Sequence, residues 1–445
     1  MKLKLKIILF ALCPIFSFSQ NWEQLGSGLP YGANKFYLDS SQNKLYAVGR
    51  FIDQSNDTLY GPIVWDGFDW NFIGTTDFDT LGQILSIIRY QDSLYITGVF
   101  QTYFGAPGDY ILNYNNGNWD SLQFSANGAV HCSGEYIGAL YFGGEFSEFY
   151  PLLSYGIICY SYPYWQTMPL LNLAGILKMK KFNSIFVFAG YLGYGSSYEG
   201  NIIGWDNFNY VLLGNGLSFS GASVPKITDM EVYQNQLYVS SNCRFNNVTN
   251  ARNIVKFDGT DWSEVNGGVD REITSLQVYN GELFAAGFFN QAGGVATDGI
   301  AKWDGHKWCG LGSNFNGLIV DMAVYNNELI VSGDFTSIDG VPVNHIAKWV
   351  GGSYVDSCQS TVGIDEFSFS SIKLFPNPAS DKLLIEINSG ILQKITVYDL
   401  TGKLVQTFSC NTSSQELDIS TLSPGLYFLD VISDQRTFRK RFVKN

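Results

Sequence analysis

One pattern recurs along most of this chain: an apolar strand core that is followed, in most copies, by Gly-x-Phe. Seven copies have their strand cores at positions 45, 94, 140, 185, 237, 283 and 329, so the period is about 47 residues. Self-similarity at a period of roughly 20–50 residues is typical of solenoids, propellers and other repeat arrays. The repeat constrains the fold strongly, because every copy must form the same small unit and bury its apolar face against a neighbour.

Each copy is predicted to contain four short strands. Asn, Asp or Gly stands where the first hairpin turns, as in Asn326-Asn327, and an Asp-Gly pair such as Asp304-Gly305 stands between the third and fourth strands. Residues of these types suit tight turns that need a positive φ. No helical periodicity of useful length separates the copies, which argues against parallel βαβ units. Four antiparallel strands repeated seven times predict an all-β fold, a seven-bladed β-propeller.

The two ends of the repeat region allow the ring of blades to be sealed. The segment 22–26, Trp-Glu-Gln-Leu-Gly, matches the fourth-strand sequence Trp-Cys-Gly-Leu-Gly at 308–312 but precedes the first copy. Pairing of this N-terminal strand with the last blade would cover an exposed sheet edge. In the alternative arrangement, Tyr354 completes the last blade and Trp22 only caps the first one. We favour the sealed ring.

Glycines after the second strand and aromatic residues in the third and fourth strands give residues 22–355 a family likeness. In these features the region resembles the kelch and galactose-oxidase-like propellers. The copper site that a galactose-oxidase resemblance implies needs converging His and Tyr ligands, and no such set can be assigned. Trp-Asp pairs such as Trp65-Asp66 raise a WD-repeat alternative, which we favour less because no Gly-His element precedes them at the expected place. The tryptophans that we expect to pack between blades or sheets are Trp65, Trp70, Trp119, Trp165, Trp205, Trp262, Trp303, Trp308 and Trp349.

The first nineteen residues are predicted to be a cleaved signal peptide. A basic segment, 1–6, precedes a mostly apolar stretch, 7–18, and Ser17 and Ser19 supply small residues before a cut at Gln20. That stretch is too short to span a bilayer as a helix, and no later apolar run approaches the roughly 20 residues required. We therefore expect an exported chain without a transmembrane helix.

Charge argues against a nucleic-acid partner. The formal net charge is -13, and loss of Lys2, Lys4 and Lys6 with the leader makes the mature chain more acidic still. Residues 364–445 hold equal numbers of acidic and basic side chains, so the whole excess of negative charge lies on residues 20–363. An acidic body of this kind repels phosphate backbones.

Six cysteines follow the leader, and an even number in an exported chain permits disulfides. No close CxxC pair indicates a zinc or redox site. We favour isolated buried thiols. The six are Cys132, Cys159, Cys243, Cys309, Cys358 and Cys410.

The last eighty residues no longer follow the repeat. Their sequence predicts short strands with Gly and Pro turns, as in a small β-sandwich. Four motifs follow one another: Pro-Asn-Pro, Asp-x-x-Gly-Lys, Leu-Ser-Pro-Gly-x-Tyr and a terminal Phe-Val-Lys. In this order they resemble the type A C-terminal sorting domain of the type IX (Por) secretion system. The resemblance implies contact with that secretion machinery, passage across the outer membrane and, usually, removal of the sorting domain. The motif residues are Pro376, Asn377, Pro378, Asp399, Gly402, Pro424, Gly425, Tyr427, Val443 and Lys444.

These observations predict four segments. Residues 1–19 form the signal peptide, 20–358 the β-propeller, 359–371 a linker and 372–445 the sorting domain.

Residues for catalysis are sparse. There is no HExxH helix, no GxSxG elbow and no GxGxxG motif that opens a helix. His306 and His345 lie toward opposite ends of a blade, which argues against a shared metal site. The turn acids Asp66, Asp258 and Asp304 are most simply hairpin residues. We therefore assign no catalytic residue, no metal and no cofactor, and we expect a non-enzyme more than an enzyme. The histidines are His131, His306 and His345.

Two classes of function stay open. The favoured one is a secreted or surface-displayed binding protein whose ligand is a carbohydrate or a protein. The alternative is a secreted hydrolase or lyase that acts on polysaccharide from a propeller scaffold. Convergence of acidic side chains at the central channel would favour the alternative.

Aromatic residues in the long connections between second and third strands mark a candidate ligand face. Loops on a rigid scaffold commonly carry binding groups, and aromatic rings suit sugar rings or a partner's apolar patch. The corresponding loops of copies five to seven contain no aromatic residue. The alternative is that these rings only pack loop against loop. The candidate residues are Tyr103, Phe104, Phe149, Tyr150, Tyr194 and Tyr198.

Overall fold

The structure, a computed structural model, describes twelve stretches of the chain. The described residues contain strands and turns, and they divide into two compact units with a boundary between Ser360 and Thr361. The predicted signal peptide and linker lie outside them. The described stretches are residues 22–52, 58–74, 83–100, 110–122, 124–169, 175–191, 202–220, 226–350, 372–387, 391–399, 403–433 and 437–445.

The first unit contains seven sheets with one shared pattern, which we number 1 to 7 along the chain. In each sheet the first strand pairs with the second, the second with the third and the third with the fourth, always antiparallel. Sheet 1 consists of Ala33–Asp39, Lys44–Ile52, Thr58–Trp65 and Trp70–Phe72. Sheet 2 consists of Gln83–Tyr90, Ser93–Val99, Ile111–Asn115 and Asn118–Ser121. Sheet 3 consists of Val130–Tyr136, Ala139–Gly144, Ile157–Ser161 and Tyr164–Thr167. Sheets 4 and 5 consist of Gly175–Phe182, Ile185–Tyr191, Ile202–Trp205 and Tyr210–Val211; and of Ile227–Tyr233, Gln236–Phe245, Arg252–Phe257 and Trp262–Glu264. Sheets 6 and 7 consist of Ile273–Tyr279, Glu282–Gly287, Ile300–Trp303 and Trp308–Gly310; and of Ile319–Tyr325, Glu328–Gly333, Ile346–Trp349 and Trp22–Gln24.

Additional short strands lie in or beside the connections of this unit. Phe219–Ser220 pairs with the end of the second strand of sheet 5. The remaining short pairs are Ser125–Ala126 with Phe149–Tyr150, Gln291–Ala292 with Val295–Ala296, and Ser337–Ile338 with Val341–Pro342.

The N-terminal strand completes sheet 7, as the sequence predicts. Trp22 pairs with Trp349, and Gln24 pairs with Ala347. The Trp22 indole N–H donates to Ser313 Oγ at 2.9 Å. Pairing of the predicted strand is therefore confirmed, while Tyr354 of the alternative arrangement lies outside the described residues.

The predicted turn residues take the expected conformations. In the first hairpin of sheet 7, Asn326 and Asn327 have φ values of 48° and 62°. Between the third and fourth strands of sheet 6, the Asp304 carboxylate accepts the backbone N–H groups of His306 and Lys307 at 2.7 and 2.8 Å, and Gly305 has a φ of 102°. Asn tolerates the left-handed region and Gly occupies it without steric cost, which explains the composition of these turns.

The hydrophobic core lies between consecutive sheets. Seven clusters of buried side chains each combine residues of two neighbouring sheets, and one of them joins sheet 7 to sheet 1 through Tyr325, Ile330, Phe36 and Leu45. The first strands of consecutive sheets are also in contact, including those of sheets 7 and 1. No sheet of four short strands could bury its apolar residues alone.

Two series of hydrogen bonds connect neighbouring sheets in opposite directions. A Tyr that ends a first strand donates its hydroxyl to a backbone carbonyl in the next sheet's first hairpin, as in Tyr90 to Gly138 at 2.7 Å. The same contact recurs from Tyr136, Tyr233, Tyr279 and Tyr325, and Tyr325 reaches Asn43 of sheet 1. In the other direction, the indole N–H groups of Trp119, Trp262 and Trp308 each donate to a carbonyl after the preceding sheet at 2.8 Å.

All nine of the listed tryptophans belong to these clusters or pack against them. Trp65, Trp119, Trp205, Trp303 and Trp308 are buried. The other four are half-buried and contact a cluster from its edge. The packing expected from the sequence is confirmed.

The second unit contains two sheets around one hydrophobic cluster. The three-stranded sheet is formed by Ile372–Phe375, Lys382–Ile387 and Ser414–Asp418. The four-stranded sheet is formed, in spatial order, by Leu404–Thr412, Leu392–Tyr398, Gly425–Ser433 and Thr437–Lys444.

Replacing Trp308 by Ala tests how much the packing between sheets stabilises the first unit. Trp308 is 2% exposed, and its indole N–H is bonded to the Val265 carbonyl. Loss of a buried Trp leaves a cavity, so we expect the free energy of unfolding to fall by about 3–5 kcal/mol in urea titrations. Tyr164→Ala is the control, because Tyr164 is 70% exposed, and it should change the value by less than about 0.5 kcal/mol. Equal effects of the two substitutions would contradict this account of the core.

Candidate functional site

A cavity of about 470 Å³ lies where the first strands of the seven sheets meet. Each of the seven first strands contributes to its wall. One side chain in each first strand stands four residues before the last residue of the strand, and six of these seven line the cavity. The residues at that position are Lys35, Ser86, Cys132, Lys178, Asp229, Ser275 and Asp321.

A β-bulge determines the direction of these side chains. In all seven first strands the pairing register shifts by one residue immediately before the position just described. A bulge bends its strand and redirects the neighbouring side chain. The repeated irregularity therefore places one side chain from each sheet at the same level of the central cavity.

The acids of the cavity are each paired with a lysine from a neighbouring sheet. Lys35 Nζ lies 2.9 Å from Asp321 Oδ1, and Lys180 Nζ lies 2.8 Å from Glu231 Oε2. A longer contact of 3.6 Å joins Lys178 Nζ to Asp229 Oδ1. Acidic side chains do converge at the centre, and they converge as neutral pairs.

Backbone and hydroxyl donors hold these carboxylates in place. Asp321 accepts the N–H of Phe36 at 2.7 Å and the hydroxyl of Ser275 at 3.0 Å. Asp229 accepts the N–H of Leu276 at 2.8 Å. Because every one of these bonds crosses between sheets, the polar groups of the cavity also fasten the first strands to one another.

The surroundings of Asp229 and Lys35 favour the charged form of each group. Burial alone would raise the pKa of Asp229, but the nearby ammonium groups of Lys178 and Lys35 and the Leu276 N–H bring that pKa below its ordinary value. Burial alone would lower the pKa of Lys35, but Asp321 and Asp229 raise it above its ordinary value. A general acid for glycoside hydrolysis needs a carboxyl group that retains its proton, hence a raised pKa. Asp229 has the opposite shift.

The three histidines lie apart, as expected. His131 lines the central cavity with its Nε2 3.3 Å from Glu145 Oε1, and burial lowers its pKa. His306 lies in the turn between the third and fourth strands of sheet 6, and His345 precedes the third strand of sheet 7. Within the part of the chain that the structure describes, no three His, Cys, Asp or Glu side chains form a group able to hold a metal ion.

The turn acids cap their own hairpins. Asp66 and Asp258 each accept two backbone N–H groups, in the same way as Asp304. These bonds lower the pKa of Asp66 and Asp258. Their hairpin role is confirmed.

Two of the six candidate ligand residues lie in the described parts of the chain. Phe149 is fully buried, with its ring centroid 4.7 Å from that of Trp165, whereas Tyr150 beside it is 69% exposed. Period-2 alternation along the short strand Phe149–Tyr150 explains the contrast. Tyr103, Phe104, Tyr194 and Tyr198 lie outside the described residues.

One expectation about the cysteines is wrong. Cys132, Cys159, Cys243 and Cys410 are free thiols, as expected, and burial raises the pKa of Cys132 to about 12. Cys309, however, is disulfide-bonded. Its partner lies outside the described residues, and sequence spacing alone does not reveal which distant thiol approaches it.

The sorting motifs of the second unit come together at its ends. The Asn377 side-chain carbonyl accepts the N–H of Val443 at 2.9 Å, and Ala379 N–H donates to the Val443 carbonyl at 2.8 Å. Asn445 N–H returns to the Ala379 carbonyl at 2.9 Å. The Pro-Asn-Pro segment and the terminal Phe-Val-Lys segment, 64 residues apart from Pro378 to Phe442, therefore form one structural element.

The other two motifs form turns of the same unit. Lys403 N–H donates to the Asp399 carboxylate at 3.1 Å, and Asp399 N–H donates to the Lys403 carbonyl at 3.0 Å. Tyr427 donates its hydroxyl to the Ser423 carbonyl at 2.8 Å and stacks on Phe442. Pro424 and Gly425 lie inside that Ser423–Tyr427 turn, and Gly402 lies outside the described residues.

Asp229→Asn tests the charge pairing in the central cavity. Asn keeps an acceptor for the Leu276 N–H but loses the charge that faces Lys178. The pKa of Asp229 is lower in the folded chain than in the unfolded chain, so ionised Asp229 stabilises the fold above about pH 4. This stabilisation is lost as the pH falls through the pKa of the folded state. We expect urea midpoints measured from about pH 2 to pH 7 to show a deficit in the variant that shrinks on acidification.

The control for this prediction is Asp261→Asn, at an exposed turn position of sheet 5. A deficit of the same size at every pH in the Asp229 variant would show that geometry, and not charge, explains its effect.

Comparison with known proteins identifies the second unit. Residues 373–445 match the family model of the secretion system C-terminal sorting domain. The predicted type IX sorting domain is thereby confirmed. No helical segment with the length and apolar character needed to cross a bilayer occurs among the residues that the structure describes.

Similarity over the rest of the chain is limited. Ulvan lyase NLR42 from Nonlabens ulvanivorans is 25% identical over 88 residues, which are 19% of this chain and 16% of the lyase. The chain thus matches less than a fifth of that relative. The crystal structure of a GH74 enzyme from Niastella koreensis has a TM-score of 0.39 at 11% identity, covering 95% of this chain and 86% of that one. The extracellular domain of a one-component system from B. thetaiotaomicron has a TM-score of 0.20 at 11% identity, covering 91% and 85%.

TM-scores this low carry no argument about activity, and the identification rests on the C-terminal match. Residues 373–445 are a type IX secretion system C-terminal sorting domain, and the chain is exported by that system to the cell surface or the extracellular space.

Proposed function

We propose that the seven sheets of the first unit are the blades of a β-propeller covering residues 20–358, followed by a linker, 359–371, and a β-sandwich sorting domain, 372–445. Support comes from the seven core clusters between consecutive sheets and from the contact of sheet 7 with sheet 1. The resemblance to kelch and galactose-oxidase-like propellers belongs to this proposal.

We infer that the exported propeller is a binding protein whose ligand is a carbohydrate or a protein. The observation that carries this inference is the pairing of the central carboxylates with lysines, which leaves Asp229, Glu231 and Asp321 in ion pairs. Ion pairs held by backbone donors suit a rigid scaffold, whereas acid–base catalysis needs a carboxyl group with a raised pKa.

The candidate ligand face is the end of the propeller that carries the connections between second and third strands. On sheet 3 this connection exposes three large apolar side chains close together in sequence: Tyr150, Leu153 and Tyr155. Exposed aromatic rings on an otherwise acidic protein favour contact with sugar rings or with a partner's apolar surface. The other candidates, Tyr103, Phe104, Tyr194 and Tyr198, belong to the same set of connections.

The alternative function is that of a hydrolase or lyase acting on polysaccharide. The partial similarity to ulvan lyase NLR42 is the observation in its favour. Incubation of the purified chain with the polysaccharides of the binding test below, followed by assay for new reducing ends and for unsaturated products, distinguishes an enzyme from a binding protein.

Tyr150→Ala together with Leu153→Ala tests the ligand face. We expect the double variant to lose most of its retention in affinity gels containing xylan, laminarin or polygalacturonate, and to keep the thermal midpoint of the wild type, because both side chains are exposed. Phe149 is left intact, since its removal would open a cavity. Tyr164→Ala, on the connection at the opposite end of the blade, is the matched control and should bind normally. Retention by the double variant equal to that of the wild type would place the site elsewhere.

Asn377→Ala tests whether joining the two ends of the sorting domain is needed for export. The substitution removes the acceptor of the Val443 N–H, a bond of about 1 kcal/mol, and should loosen the terminal Phe-Val-Lys segment. We expect less of the chain outside the cell and more in the periplasm, measured by immunoblot of fractions from a host with a type IX system. Asn411→Ala, at an exposed strand position, is the control and should be exported normally. Normal export of the Asn377 variant would show that this contact is dispensable.

A further inference from the structure

A second cavity, of about 640 Å³, lies among the connections of sheets 5 and 6. One wall is formed by the end of the second strand of sheet 5, Arg244 and Phe245, by residues 246 and 248–251 of the connection that follows, and by Arg252 at the start of the third strand. The other walls are Asn266 and Gly267, which follow sheet 5, and Gly293 and Gly294 at the tip of the small hairpin of sheet 6. We call this cavity the arginine pocket.

The two arginines stand directly opposite each other. Arg244 and Arg252 are partners in the antiparallel register of the second and third strands of sheet 5, and both are exposed. Like charges directly opposite on paired strands are destabilising. Among the described residues, neither guanidinium is hydrogen-bonded or ion-paired to a protein group. The fold thus holds two cations side by side without compensating them.

The charged side chains of the lining are the two arginines, and the carboxylates that flank the pocket in sequence accept backbone N–H groups. No Asp or Glu is among the described residues that line it. The Glu264 carboxylate accepts the N–H of Gly267 at 2.6 Å. The Asp270 carboxylate accepts the N–H groups of Asn290 and Gln291 at 2.8 and 3.0 Å. The charged side chains that line the arginine pocket are therefore both cationic, in a chain of net charge -13.

The wall of the pocket is fixed before any ligand arrives. Phe245, Val248 and Ala251 are buried in the cluster between sheets 4 and 5. Asn247 braces the loop, because its side chain accepts the N–H of Ser218 at 3.0 Å and donates to the carbonyl of Gly216 at 2.8 Å. A preorganised loop loses little conformational entropy on binding.

Neutral polar groups complete the lining. Thr249 and Asn250 are exposed in the pocket and offer a hydroxyl and an amide. Hydroxyl and amide groups suit the hydroxyls of a sugar, and a guanidinium suits a planar or tetrahedral oxyanion through two parallel hydrogen bonds. This combination favours an anionic sugar over a wholly apolar or cationic ligand.

We propose that the arginine pocket binds the carboxylate or sulfate groups of an acidic polysaccharide. The proposal rests on the binding function inferred above and names the class of ligand. Two oxyanions along one chain, or one oxyanion bridging both guanidinium groups, would relieve the repulsion between Arg244 and Arg252. Thr249 and Asn250 would contact the hydroxyls of the same sugar.

The test compares polygalacturonate, which carries carboxylates, dextran sulfate, which carries sulfates, and neutral dextran in affinity gels with the full exported chain. We expect retention by at least one acidic polymer, little by dextran, and weakening by salt as charges are screened. The double variant R244Q/R252Q should bind the acidic polymer at least about tenfold more weakly. R271Q, which removes an exposed arginine outside the pocket, should bind like the wild type.

Stability measurements separate binding from a structural role. Removing two opposed like charges should leave the thermal midpoint of R244Q/R252Q equal to or above that of the wild type; a lower midpoint would overturn the proposal. Undiminished binding of the acidic polysaccharide by the double variant would overturn the proposal as well. Equal retention of the wild type in a gel that contains poly-glutamate would also overturn it. These failures leave the proposed function standing, since it is tested by the Tyr150 variants. Failure of the wild type to bind any polysaccharide or protein would instead remove the proposed function itself.

Discussion

Burial of apolar side chains between consecutive sheets is the constraint on which the first unit depends. Each sheet has four strands of two to ten residues, too little to enclose a core of its own. Every cluster takes residues from two neighbouring sheets, so each sheet is stabilised only when it has a neighbour on both sides. An open array would leave one face of sheet 1 and one face of sheet 7 exposed. The cluster shared by Phe36, Leu45, Tyr325 and Ile330 removes both exposed faces at once.

This arrangement brings seven first strands around one cavity, whose wall carries lysines and carboxylates as well as apolar side chains. Burying a lone charge there would cost several kcal/mol. The repeat solves this by placing Lys35 and Lys178 beside acids of the adjacent sheets. The hydroxyls of Ser86 and Ser133 complete the pattern with a bond of 2.7 Å across sheets 2 and 3. The paired charges and hydroxyls of the cavity thus fasten neighbouring first strands to one another.

Local features of the fold are predictable from sequence because they depend on neighbours in the chain. The turn at Asn326-Asn327, the Asp304 cap and the buried Trp308 all follow from residue type and position within the repeat. The pairing of Trp22 with Trp349 is predictable as well, although the residues are far apart, because the N-terminal segment repeats the sequence of a fourth strand.

Contacts that depend on the geometry of the ring are harder to predict. A polar residue four places before the end of each first strand was a visible signal, but its meaning depends on the β-bulge that turns it inward, and a bulge leaves no clear mark in the sequence. Phe149 and Tyr150 look equivalent as aromatic loop residues, yet a strand of two residues buries one and exposes the other. The disulfide of Cys309 left no signal in the spacing of the cysteines along the sequence.

The arrangement of the seven sheets also indicates which exposed positions can vary without loss of stability. The hairpins at one end of the sheets carry constrained residues, because a Tyr hydroxyl such as that of Tyr90 bonds to the next sheet and a carboxylate such as that of Asp304 caps its own turn. The connections at the other end are anchored too, as buried Val248 and the two side-chain hydrogen bonds of Asn247 anchor the loop of sheet 5. Beside these anchors the exposed side chains differ from sheet to sheet, with Tyr150 on sheet 3 and Arg252 at the start of the third strand of sheet 5. In the proposed propeller, the apolar surface at Tyr150 and the arginine pocket both belong to connections between second and third strands, and a long polymer with sugar rings and acidic groups is the class of ligand that we propose for them.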